Sequence, residues 1–112
     1  MRYDEWLYLK LIEEASEVQH RASKLMQFGA DEIQPGYQQT NMERLVDEVI
    51  DFSAVLSLAE IKGLVKYNKT PDDIAKAVEA KLTKLDHYLK LSIQLGLVEP
   101  EVTVGYERGS TE

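Results

Sequence analysis

Apolar residues recur at three- and four-residue steps along three separate stretches of the chain, and each stretch predicts an amphipathic helix. The first runs from about Asp4 to Phe28, with Leu7, Leu11, Val18, Ala22 and Leu25 on its stripe and Gly29 as its C-cap. The second is predicted to start at Thr40, because Thr40 and Glu43 have capping-box spacing. Its stripe is Leu45, Val49, Phe52, Leu56 and Ala59, and it ends near Gly63. The third starts at Thr70-Pro71-Asp72-Asp73, where a threonine cap, a first-turn proline and first-turn acids coincide. It continues through Ile74, Val78, Leu82, Leu85, Leu89 and Ile93 to Gly96. The stretch GADEIQPGYQQT reads as a loop, and LVKYNK as a connector or one more helical turn. The tail EVTVGYERGSTE is short and polar, with Val102 and Val104 spaced as on a strand edge. The expected fold is all-α: an antiparallel helical bundle of three to four helices over residues 1–98, followed by a tail over 99–112. Stripes this long exceed what three helices can cover, so oligomerisation is expected to complete the core.

One break in the pattern carries chemistry. In LKLIEEASEVQHRASKL, Glu14 sits roughly 20° from Leu7 on the helical wheel, on the shoulder of the apolar arc. Glu17 follows at i, i+3, with Arg21 between them on the wheel. The second helix repeats the arrangement: Glu48 and Asp51 are also at i, i+3 and interleave with Val55, Leu58 and Ala59. Burying unpaired carboxylates costs several kcal/mol each. Such a cluster persists if the acids protonate, pair with bases or bind cations. An all-oxygen donor set matches a hard divalent ion, Mg²⁺ or Mn²⁺. The plain alternative is a solvated acidic face, since 20 of the residues are Asp or Glu.

Composition narrows the classes. The 112 residues suit one domain with a small core, and 44% apolar with 29% charged residues is ordinary globular usage. A net charge of -7 argues against a general nucleic-acid partner, but a metal can reverse the local field for a small anionic substrate. There is no cysteine, which fits a reducing cytoplasm. The N-terminus MRYDEWLYLK does not read as a signal peptide, and no apolar run is long enough for a membrane span.

EEASE followed by EVID on consecutive helices resembles the MazG-like nucleoside triphosphate pyrophosphohydrolases, whose pattern is E-E-x-x-E then E-x-x-D. The flanking RASKLMQFGADEIQPG and NMERLVDEVIDFSAVL are similar too, and the resemblance covers about residues 5–95. It implies a helical bundle that forms a homodimer or homotetramer. It also implies cleavage of (d)NTPs between the α and β phosphates, giving a nucleoside monophosphate and pyrophosphate. It maps the Mg²⁺ ligands to Glu14, Glu17, Glu48 and Asp51, with Glu13 an outer or water-orienting residue. The chain departs from the family in its longer loop from Gly29 to Thr40. It departs again in the run K-x-x-K-N-x-x-R: Lys81 and Lys84 match, but Leu85 and Tyr88 replace Asn and Arg.

On this expectation Glu17 or Glu13 takes a proton from the attacking water. Arg21, Lys24, Arg44, Lys62, Lys81 and Lys84 are candidate phosphate contacts, each equally readable as a surface cation. Trp6, Phe28 and Tyr37 are candidate base contacts or packing aromatics. The Gly29–Thr40 loop reads as a lid or as a plain connector. Two rivals stand beside this reading. A di-iron carboxylate bundle needs two E-x-x-H pairs, but only Glu17 to His20 supplies one, because Lys84 precedes His87. A non-enzymatic helical interaction module needs neither metal nor turnover.

Overall fold

A computed structural model describes residues 1–100 and consists of α1 (Tyr3–Phe28), α2 (Asn41–Ile61) and α3 (Pro71–Gln94). There is no strand among the described residues. The Val102 and Val104 alternation, with nearly all of the tail, lies outside them. No described helix is long and apolar enough to cross a membrane. The chain divides into two units, a helical hairpin over Met1–Tyr67 and a second unit from Asn68 onward that holds α3.

The helix starts follow the signals in the sequence. Thr40 Oγ1 accepts the Glu43 backbone N–H at 3.1 Å, and the Glu43 carboxylate accepts the Thr40 N–H at 2.9 Å. The two bonds satisfy donors that have no partner inside the first turn. Thr70 Oγ1 likewise accepts Asp73 N–H at 3.1 Å, with Pro71 at the first helical position. At the end of α1, Gly29 takes a φ of 94° and sends its N–H back to Leu25 O at 2.8 Å. A side chain there would be strained.

Within the hairpin, α1 packs against α2. The shielded positions run Leu7, Leu11, Glu14, Val18, Arg21 and Leu25 on α1, and Asn41, Leu45, Glu48, Phe52, Val55 and Ala59 on α2. Both series alternate steps of four and three, the spacing of a coiled-coil seam. This shifts two expectations. Ala22, expected on the stripe, is exposed, as is Ala15 one heptad before it, while Glu14 and Arg21 take seam positions; and Val49 is exposed while Glu48 replaces it. The cause is where the partner packs: the apolar arc of α1 has two shoulders, and α2 covers the one carrying Glu14 and Arg21, roughly 20° and 40° from Leu7, rather than the one carrying Ala22 and Ala15 at about 60° and 80°.

The hairpin is closed at both ends. At the open end Tyr8 donates its hydroxyl to Leu64 O at 2.6 Å. At the loop end stands Asn41, only 1% exposed. Its Nδ2 donates to Gly29 O at 2.9 Å and to Glu32 Oε1 at 3.1 Å, which fixes the orientation of the amide. Its backbone N–H bonds Glu32 O at 2.9 Å, and Met42 N–H bonds Ala30 O at 3.0 Å. Further along, Tyr37 stacks on Arg44 and Gln39 Nε2 bonds Asp47 at 3.0 Å. The loop is thus tied to α2 along its length.

Leu7 and Ala59 are the fully buried apolar residues of the described chain. Ile12, Ile50 and Leu82 remain about three-fifths exposed, at 64%, 59% and 60%. On α3, Val78, Leu85 and Leu89 are exposed as well.

Replacing Asn41 by alanine strands the Gly29 carbonyl and removes the loop clamp. The expected loss is about 1–3 kcal/mol, read as a lower urea midpoint at unchanged m-value.

Candidate functional site: an acidic cluster across the hairpin seam

The seam positions of α1 and α2 bring Glu14 and Glu48 face to face. Asp51, one turn beyond Glu48, joins them: one carboxylate oxygen from each of Glu14, Glu48 and Asp51 lies within 4.8 Å of the other two. Glu14 and Glu48 are half-buried and Asp51 is exposed, so the cluster opens from the seam to the surface. Apolar seam residues lie on both sides of it: Leu11 and Val18 on α1, Leu45 and Phe52 on α2. Ala15, Val18 and Phe52 line a shallow apolar hollow beside it.

The electrostatics follow from that position. Burial pushes the Glu48 carboxyl above its ordinary value of 4.5, and the charges of Asp51, Glu14 and Glu17 push it further. Arg21 pulls in the opposite direction. Proximity of like charges in a partly desolvated place disfavours ionisation. A cluster of this kind is relieved by a proton or by a cation. Three carboxylates from two helices suit a hard divalent ion, which takes oxygen ligands, keeps several waters and needs an open side. The donor set therefore fits the Mg²⁺ or Mn²⁺ expected from the motifs.

The other candidates fall at varied places. Glu17 is exposed one turn beyond Glu14 and acts on Glu48 through space. Glu13 is exposed and paired with Lys10 at 3.0 Å, turned toward a cation of its own helix. Arg21 and Arg44 are half-buried on the loop side of the cluster, and Lys24 lies 5.6 Å from the Phe28 ring. Trp6 stacks on Tyr3 and carries Lys10 over its ring. Trp6 and Phe28 stand near opposite ends of α1, about 33 Å apart along its axis, so no single base touches both. Lys81 and Lys84 are exposed on α3, in the second unit. His20 is exposed and is not grouped with the three carboxylates. The clamp at Asn41 and the stacking of Tyr37 on Arg44 were not foreseen. The sequence signal for the first was an asparagine at a seam position just inside a helix start.

Comparison of the chain with protein-family models, curated proteins and solved structures finds no match.

A stability test follows from Glu48. Its folded-state pKa is raised, so the folded chain holds that proton more tightly than the unfolded one. The resulting penalty is absent below about pH 4.5 and complete once the pH has risen through the folded value. In metal-free buffer, Glu48→Gln is therefore expected to stabilise the fold at about pH 7, with the gain shrinking as the pH falls toward 4.5. Urea unfolding of both proteins across that range measures the difference, and a less stable Gln variant at neutral pH contradicts the account.

Proposed function

We propose that this chain is a divalent-metal-dependent nucleoside triphosphate pyrophosphohydrolase of the MazG-like kind. The observation that carries the reading is the convergence of Glu14, Glu48 and Asp51 from two helices, with oxygens within 4.8 Å of one another, at the E-E-x-x-E and E-x-x-D motifs. The reaction adds water across the bond between the α and β phosphates and yields a nucleoside monophosphate and pyrophosphate.

Glu14, Glu48 and Asp51 would hold Mg²⁺ or Mn²⁺ through their carboxylate oxygens, and the resemblance adds Glu17, one turn further along α1, as a fourth ligand. A bound divalent ion supplies positive charge against the triphosphate and makes nearby water more acidic. Glu17 accepts the water proton on its carboxylate. Glu13 is the weaker base, because its carboxylate is already engaged by Lys10. Half-buried Val18 and Phe52 flank the cluster along the seam. Arg21 offsets the acids from the side.

The same reading takes the helices as parts of an antiparallel bundle completed by a second or further copies. The exposed Leu9, Ile12, Val46, Val49 and Ile50 of the hairpin and the exposed stripe of α3 support it. So many large apolar side chains in water mark a surface meant for contact.

Pyrophosphate release over a panel of (d)NTPs tests the activity. Release should require Mg²⁺ or Mn²⁺, and Glu48→Gln or Asp51→Asn should lower kcat/KM by about 10²-fold or more without loss of helicity. Glu13→Ala should spare most of it. A folded protein silent on every nucleotide, with or without metal, would instead be the helical interaction module. Light scattering addresses assembly, with a multiple of the chain mass expected and a monomer sinking the bundle-by-oligomerisation reading.

A further inference from the structure

Two arginines set themselves apart by a shielded N–H without a partner rather than by lacking an ion pair, since Lys24, Lys62, Lys66, Lys69, Lys81 and Lys84 also enter none among the described residues. Arg2, Lys10, Lys76 and Lys90 are each ion-paired with a carboxylate. Arg21 and Arg44 enter no ion pair among the described residues, although an acidic cluster lies within two turns of each. Nη1 of each is shut off from solvent and has no hydrogen-bond partner. A guanidinium stays charged and carries five N–H donors, so a shielded N–H without an acceptor is an unfilled demand.

Both are displaced from the cluster toward the loop. Arg21 lies four residues beyond Glu17 and seven beyond Glu14, toward the C-terminus of α1. Arg44 lies four residues before Glu48 and seven before Asp51, toward the N-terminus of α2. Because α1 and α2 are joined at the loop, both displacements run in one direction. With Glu14 facing Glu48, Arg21 stands about 10 Å and Arg44 about 6 Å from that level along the axis, roughly one helical turn apart and both toward the loop.

The loop holds one of them in place. Arg44 Cζ lies 3.4 Å from the centroid of the Tyr37 ring. The hydrogens of a guanidinium lie in its plane, so an aromatic on its face fixes the group while using none of its donors. Tyr37 is itself fixed by its N–H bond to Gln34 O at 3.1 Å, and the loop around it by the Asn41 clamp.

We propose that Arg21 and Arg44, with Tyr37 as the platform for Arg44, form a two-guanidinium site for the terminal phosphates of a polyphosphate ligand, on the loop side of the carboxylate cluster. The inference deepens the pyrophosphohydrolase reading and rests on it for the position of the α-phosphate. It orients the ligand: the terminal phosphates point toward the loop and the nucleoside away from it. Planar forks suit phosphate oxygens better than the point charge of lysine.

The test is titration calorimetry of inorganic tripolyphosphate into the full chain with saturating Mg²⁺, with a nucleoside monophosphate as the control ligand. Arg21→Gln and Arg44→Gln should each weaken tripolyphosphate binding by about tenfold or more, leave monophosphate binding nearly unchanged and keep the helical circular dichroism. Arg44→Lys should recover part of the loss, Tyr37→Phe should behave as wild type, and Tyr37→Ala should weaken tripolyphosphate alone. Wild-type tripolyphosphate affinity in both Gln variants overturns the site, as does equal loss for the two ligands. Pyrophosphate release, run in parallel, separates the two readings. Turnover that needs Glu48 with arginine-independent tripolyphosphate binding removes only the arginine site. Arginine-dependent binding without turnover of any nucleotide keeps the site and removes the enzyme.

Discussion

Glu14 and Glu48 stand where an antiparallel helix pair ordinarily places leucines, and their repulsion is the constraint to which the rest of the hairpin answers. A seam packed with hydrocarbon above and below them keeps them from separating. Burial and like charge together raise the Glu48 pKa, with Arg21 as partial relief. The hairpin without a cation is therefore built with an internal tension. The clamp at Asn41 and the bond from Tyr8 to Leu64 hold its two ends while the middle repels.

Much of the fold was legible because its signals are local. Thr40 with Glu43, Thr70 with Pro71, and Gly29 each fix a helix end through one or two bonds within a few residues. The carboxylate pairs were legible for a related reason: i, i+3 spacing puts two side chains on one edge whatever the tertiary structure. What escaped depends on two helices at once. Glu14 and Ala15 lie on opposite shoulders of one apolar arc, and a wheel drawn for one helix does not say which shoulder the second helix covers. Stacking of Tyr37 on Arg44 joins a loop residue to a helix residue, and no periodicity predicts that.

The loop from Gly29 to Thr40 illustrates how a structural role and a functional one can share the same atoms. The sequence left it as a lid or a connector. In the structure it is tied to α2 through backbone, amide and aromatic contacts. Such contacts hold charged side chains such as Arg44 in one place, and groups held in advance need no reordering when they meet a partner.

The Asn41 clamp has a consequence for how this chain can vary. Because Asn41 ties Gly29 and Glu32 directly to the start of α2, the register between the two helices is set before the chain has travelled round the loop. The residues between Glu32 and Tyr37 are a detour whose closure entropy grows only slowly with length, before Tyr37 on Arg44 and Gln39 on Asp47 tie the chain down again. Insertions there would lengthen the detour and leave Glu14 opposite Glu48, whereas one residue added between Phe28 and Gly29 would turn the whole clamp by a third of a helical turn. The hairpin thus separates where its length is negotiable from where its chemistry is set.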